Sequence, residues 1–250
     1  MDLRLKERFL GLWERYFDGA ELPIVFYYID GDGGAEGETT PSRHRCVLSS
    51  LVKVRRGKAL YLDRGSVGCH GGRRYLGFSQ RIMPKFEYFL SCGIPGEMEG
   101  ERYKKSPELV KELMSRMPRF RAPKRRIVFK RWDALREEDE PSVVIFFAKP
   151  DVLSGLFTLA NYDEVDQHVV VAPFGAGCAT IVQYPYLESL SPNPRCIIGM
   201  FDVSARPFVP PGTLTFAVSM GKFERMVQNM DESFLITPSW ERIRKRLQSP

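Results

Sequence analysis

Five cysteines, Cys46, Cys69, Cys92, Cys178 and Cys196, carry the chemistry that this chain of 250 residues most plainly offers. Their odd number and wide spacing argue against a disulfide framework and for thiols that are buried, metal-bound or catalytic. Cys46 and Cys178 each precede a stretch that could open a helix. At a helix N-terminus, backbone N–H groups and the helix dipole favour a thiolate. Cys69 stands in Gly68-Cys69-His70-Gly71-Gly72, where glycine lets backbone approach a bulky inorganic group. Cys196 opens an apolar run just after Pro192-Asn193-Pro194. Thiolates brought from separate loops suit an iron–sulfur cluster, with Cys46, Cys69, Cys178 and Cys196 as the candidate metal ligands. The compact ligand runs common in such proteins are absent. Zinc is the lesser variant, with His44, Cys46, Cys69 and His70, because adjacent Cys69 and His70 side chains struggle to face one ion. Against both stands the ordinary fate of free cysteine, which is to be a small buried hydrophobe.

A second constellation suits an anion. Gly71-Gly72-Arg73-Arg74 could form a small backbone nest with guanidinium groups beside it, and Arg206 could join them. Gly71, Gly72, Arg74 and Arg206 are therefore the candidate cofactor-binding residues, although the stretch matches neither a dinucleotide fingerprint nor a phosphate-binding loop. Cys92, in Ser91-Cys92-Gly93-Ile94-Pro95-Gly96, is a candidate exposed nucleophile, but no histidine lies near it in sequence.

These residues need elements to position them. Residues 3–17 read as an amphipathic helix capped by Asp2, and Leu22 to Ile29 as a strand ended by a glycine-rich loop. That loop, from Gly31 to Thr40, is polar and lacks an apolar anchor, so it reads as mobile surface. A helix follows from Cys46 to Val54, then a strand from Leu60. Residues 80–140 read as irregular, with one helix from Pro107 to Met117 capped by Ser106. Further strands are expected at Val143–Phe147, His168–Ala172, Ile197–Phe201 and Leu214–Val218. A helix capped by Asp151 runs to Ala160, and two more close the chain over Lys222–Glu232 and Trp240–Leu247. The pattern is that of an α/β protein (α+β is the neighbouring class), one compact domain with a mixed sheet flanked by helices.

Composition bounds the rest. Apolar residues make up 43% and charged residues 27%, an ordinary globular balance. No apolar run is long enough to span a bilayer, and the N-terminus has no apolar signal core, so a cytoplasmic protein without a membrane partner is expected. The formal charge of +6 is concentrated between Arg119 and Arg131 and is followed at once by Glu137, Glu138, Asp139 and Glu140. Adjacent blocks of opposite charge read as a solvated connection and not as a nucleic-acid surface. A homo-oligomer and an unidentified small-molecule or redox partner stay open.

The two halves, residues 20–80 and 141–220, share an order of strand, cysteine-led helix, strand and glycine-containing turn. Aligning Gly68-Cys69 with Gly199-Met200 brings Arg74 close to Arg206. This suggests a duplicated unit about a pseudo-two-fold axis, on which Cys46, Cys69 and Cys178 would converge. The run from Cys46-Val47-Leu48 to Lys53-Val54-Arg55-Arg56-Gly57-Lys58, together with Gly68-Cys69-His70-Gly71-Gly72 and Leu76-Gly77-Phe78, resembles the domain of unknown function 169 family. So do Phe147-Ala148-Lys149-Pro150, Asn161-Tyr162, Gly177-Cys178-Ala179 and Asp202-Val203-Ser204-Ala205-Arg206. The resemblance runs from about residue 20 to 247 and implies a shared fold and a cytoplasmic microbial origin, but no reaction. Proteins of that family can carry a cysteine near Met200, so a four-cysteine site built on the symmetry lacks one ligand here. Three functions follow as expectations: a cluster-binding redox or sulfur-handling protein, a metal-free module for a small anion between the halves, or a cysteine-dependent enzyme.

Overall fold

Strand β1 (Ile24–Ile29) is buried along almost its whole length, with no polar face. Such a strand needs cover on both sides of its sheet. The computed structural model, which describes residues 1–31 and 46–248, supplies it as a three-layer arrangement. Seven strands lie in the order β2 (Leu60–Asp63), β5 (Arg126–Arg131), β1, β6 (Val143–Ala148), β9 (Leu214–Ser219), β8 (Cys196–Gly199) and β7 (Val170–Val171). All neighbours pair antiparallel except β7 and β8.

The alternation of side chains divides two cores. Ile24, Phe26, Phe129, Ile145 and Ile197 face a layer made by α2 (Val47–Arg55), α3 (His70–Tyr75) and a π-helical turn (Ala179–Gln183) that continues into α7 (Tyr184–Ser189). Val25, Val144, Phe146, Cys196 and Phe216 face α1 (Leu3–Phe17), α6 (Pro150–Ala160), α8 (Met220–Asn229) and α9 (Pro238–Leu247). On that second side Phe9 sets its ring edge-on to Trp132 at 5.1 Å and to Phe223 at 5.0 Å. Each core draws on both halves of the chain, which makes one domain.

Outward from the β1–β6 junction the sheet runs β1, β5, β2 on one side and β6, β9, β8 on the other, with the two-residue β7 added beyond β8; without β7 the two sides have the same order. This is the order that a two-fold axis through the junction produces. The strand β5 lies beyond residue 80. The stretch from 80 to 140 is therefore not simply irregular. Arg126–Arg131 hides a core strand, with Ile127, Val128 and Phe129 wholly buried. What remains of it, between Gly77 and Ala122, is an excursion closed at its base by the Ala122 N–H to Gly77 carbonyl hydrogen bond of 3.0 Å. The excursion contains α4 (Phe86–Phe89), a small hairpin of β3 (Gly93–Ile94) and β4 (Met98–Glu99), and α5 (Pro107–Arg116), whose first turn is capped by Ser106 as expected. Asp151 caps nothing: Lys149 holds that position in α6, and Asp151 pairs instead with Arg246 at 3.0 Å. The glycine-rich stretch expected at 31–40 falls, apart from Gly31, outside the described residues.

The charge blocks also have a structural use. Lys130 of β5 donates to both carboxylate oxygens of Asp139, at 2.7 and 3.0 Å, and the Tyr27 hydroxyl and the Arg136 N–H bond the same carboxylate. Burial alone would raise the Asp139 pKa, but the Lys130 and Tyr27 hydrogen bonds outweigh it and hold the group below its ordinary value. Removing one partner of a buried ion pair strands the other. Asp139→Ala should therefore destabilise the fold by about 3 kcal/mol, read by urea denaturation. Wild-type stability should fall as acid protonates Asp139, because its folded pKa is depressed: its contribution is complete above the unfolded value and is lost as pH falls through the folded one. A variant as stable as wild type at pH 7 would show that Lys130 finds another partner.

Candidate functional site

Two glycines allow close approach on the face covered by α2 and the π-helical turn. A Cβ at Gly72 would lie 2.8 Å from Cys69 Sγ and 3.0 Å from Val47 Cγ2. One at Gly177 would lie 2.7 Å from Leu48 Cδ1 and 3.2 Å from Met200 Sδ. The start of α2 is thereby wedged between the two glycine turns, and the cysteines beside these residues come together. Cys46, at the N-cap of α2, and Cys178, just before the π-helical turn, lie close enough for each to shift the ionisation of the other. Cys69 caps α3, its Sγ accepting the Gly72 N–H at 3.1 Å, and lies near enough for its charge to be felt at Cys178. The thioether of Met200 lies in the same core as Cys178. Met200 is wholly buried with a left-handed backbone, φ 69°, a conformation that costs a non-glycine residue about 1–3 kcal/mol.

The two thiols are not equivalent. The hydrogen bond from Cys178 draws the Cys46 pKa down from 9.0 to about 6 against the opposing effect of burial, with help from the backbone N–H groups of Leu48 and Ser49. Cys178 is pushed well up, first by donating to Cys46 and then by its own complete burial and the negative charge beside it. Cys46 is thus the thiolate and the more accessible of the two, and Cys178 is the buried thiol that serves it.

Asp202, which sequence reasoning did not single out as a site residue, organises the floor. One carboxylate oxygen accepts the Gly177 N–H at 3.0 Å, and the other accepts the Ser204 N–H at 3.1 Å and its hydroxyl at 2.7 Å. The Asp-x-Ser spacing at the start of a 3-10 turn (Val203–Phe208) is the signal that could have revealed it.

The remaining candidates separate. Cys196 lies on the opposite face of the sheet in the other core, wholly buried, with its pKa pushed up to about 12 chiefly by burial. It cannot join the other cysteines, because neighbouring strand residues point to opposite faces and Ile197 took the inner one. The glycine nest does not form either. Gly71 and Gly72 lie in α3 with ordinary helical backbone, and the Gly72 N–H is already given to Cys69. Arg206 turns away from any cleft and donates to the carbonyls of Met200 and Thr213, at 3.4 and 2.5 Å. Arg74 and Gly71 do face open space, a cavity discussed below. His70 is exposed on the same cavity, and His44 falls outside the described residues. Cys92 is exposed in the excursion, remote in the chain from any histidine. Among the described residues, no group of three or more His, Cys, Asp or Glu side chains is arranged to hold a metal ion, and no helix is long and apolar enough to cross a membrane.

The low Cys46 pKa is open to measurement. Residue-resolved alkylation with iodoacetamide should show Cys46 unreactive in acid and gaining rate with a midpoint near pH 6, since the thiolate is the nucleophile. Cys178→Ala removes the donor and should move that midpoint up towards the ordinary thiol range. The same linkage makes stability rise with pH between about 6 and 9, and the raised Cys178 pKa makes it fall again above the ordinary thiol value. An unmoved midpoint in the variant would assign the effect to the helix N-terminus alone.

No curated protein and no solved structure matches the chain. A family model does match, over residues 17–229, which takes in the whole sheet, Cys46, Cys69 and Cys178. The chain belongs to the DUF169 family, described as uncharacterised ArCR.

Proposed function

We propose that this is a dithiol redox protein in which Cys46 is the nucleophile and Cys178 the resolving thiol. The observation that carries the reading is the placing of one cysteine from each half at the same core, Cys178 within it and Cys46 packed against it, with opposite pKa shifts. An accessible thiolate backed by a buried, high-pKa thiol is the division of labour that thiol–disulfide exchange requires. The Cys46 thiolate attacks one sulfur of a small disulfide RSSR, forms the mixed disulfide and releases RS⁻. Cys178 then attacks the Cys46 sulfur, giving the Cys46–Cys178 bond and a second RS⁻, which leaves as RSH with the Cys178 proton. The substrate gains two electrons and the protein pair loses them. A pair that must be returned to the thiol state suits a reducing compartment, so the reading favours the cytoplasm.

A second reading is an iron–sulfur cluster drawing on Cys46, Cys69 and Cys178: Cys69 lies near enough for its charge to be felt at Cys178, but among the described residues these groups are not arranged to hold a metal ion. Cys196 has no part in it, and zinc is favoured by nothing at the site.

The test is incubation with oxidised glutathione followed by peptide mapping. Wild type should accumulate a Cys46–Cys178 disulfide, Cys178→Ser a glutathione adduct on Cys46, and Cys46→Ser neither product. Oxidation that leaves both thiols free overturns the proposal. Stoichiometric iron and acid-labile sulfide in anaerobically purified protein would replace it with the cluster.

A further inference from the structure

The excursion between Gly77 and Ala122 folds over the same face of the molecule and encloses a cavity of about 460 Å³. That size lies within the range of about 300–1,000 Å³ found for small-molecule sites. Tyr103 of the excursion accepts the Ser204 N–H at 3.1 Å, and the Lys104 ammonium sits over the Phe174 ring at 3.9 Å, so the cover is latched to the second half of the chain. The wall is aromatic, with Phe86 and Phe89 from the excursion and Phe174 and Phe201 from the second half. Phe174 and Phe201 remain more than half exposed, which leaves ring surface in water that a bound molecule would cover.

One cation in this wall is incompletely used. Arg74 donates from Nη1 to the Gln80 carbonyl at 2.9 Å, but its Nε is buried and has no partner. A molecule in the cavity does not reach the enclosed Nε, but the same guanidinium side chain lines the cavity, and a carboxylate, sulfonate or phosphate oxygen is the acceptor that suits it best. The phenols of Tyr75 and Tyr184 lie close enough to feel the Arg74 charge, and among the described residues the Tyr75 hydroxyl has no hydrogen-bond partner. The acids in the wall do not compete for Arg74. Asp202 is taken by Gly177 and Ser204, and Glu101 is exposed.

We propose that this cavity binds a small aromatic anion, its anionic group on Arg74 and its ring against Phe174 and Phe201. The site holds whether or not Cys46 and Cys178 cycle, and its test involves no thiol chemistry, so the two proposals fail separately. The full chain is titrated by fluorescence with 8-anilinonaphthalene-1-sulfonate and with N-phenyl-1-naphthylamine, the same ring system without the sulfonate. Wild type should bind the sulfonate saturably, one per chain. Arg74→Met should weaken the sulfonate about tenfold and leave the neutral probe almost unchanged, the loss expected for one charge-assisted hydrogen bond. Arg74→Lys should recover part of the loss. Gly71→Phe supplies the steric control: a Cβ there meets nothing nearer than the Tyr75 ring at 3.8 Å, so the fold tolerates it while the new ring enters the cavity. It should weaken both probes with an unchanged melting temperature. Absence of saturable binding, an equal loss of both probes in Arg74→Met, or unaltered affinities in Gly71→Phe would each overturn the proposal.

Discussion

Three residue pairs, Ile24–Ile145, Val25–Val144 and Phe26–Val143, join β1 to β6 and with them the two halves of the chain. Strands at the centre of a sheet must satisfy their backbone groups on both sides, so this short ladder dictates where β5 and β9 dock and hence how the whole sheet is ordered. It also decides what happens above the sheet. Each half sends a cysteine-led segment onto the same face, and the antiparallel junction turns those segments towards each other. The contact of Cys46 with Cys178 is a consequence of that pairing.

A symmetric meeting of two thiols would not by itself make a reactive one. The first proton to leave creates a charge that holds back the second, and the environments decide which thiol goes first. Here the asymmetry has a visible origin. Cys178 opens a π-helical turn packed into the core and is enclosed, while Cys46, at the N-cap of α2, is only half-buried. The two thiols are thus made unequal first by their mutual interaction and then by burial. Met200, with its left-handed backbone, lies in the same core.

The excursion is the feature that breaks the symmetry most. It is inserted in the first half only, closed at its neck by the Gly77–Ala122 hydrogen bond, and it converts an open face into a walled cavity. Much of the aromatic surface that the sheet does not need is spent there. The basic and acidic blocks that follow have a different use. Lys130 and Asp139 satisfy one another in the interior and tie the segment after β5 to β1 through Tyr27.

Periodicity and capping made most elements legible. The amphipathic α1 with Asp2 at its cap, the Ser106-Pro107 start of α5 and the apolar runs of β1, β6 and β9 all depend on residues within a few positions of one another. The placing of Cys46 at a helix start was legible for the same reason. β5 was not, because its apolar core of Ile127–Phe129 is flanked by arginines and a lysine that mimic a solvated linker. Local pattern does not reveal that Lys130 will find Asp139. Nor could the chain alone say that Cys196 faces away from the other cysteines, that the Arg206 guanidinium is consumed by two carbonyls, or that Arg74 lines a cavity. Those outcomes turn on strand register and on which distant segments pack together. Local sequence determined the elements and the positions where a thiolate could form. Only the tertiary structure decided which thiols meet, because the energy that brings them together lies in the long-range pairing of β1 with β6 and not in the residues beside them.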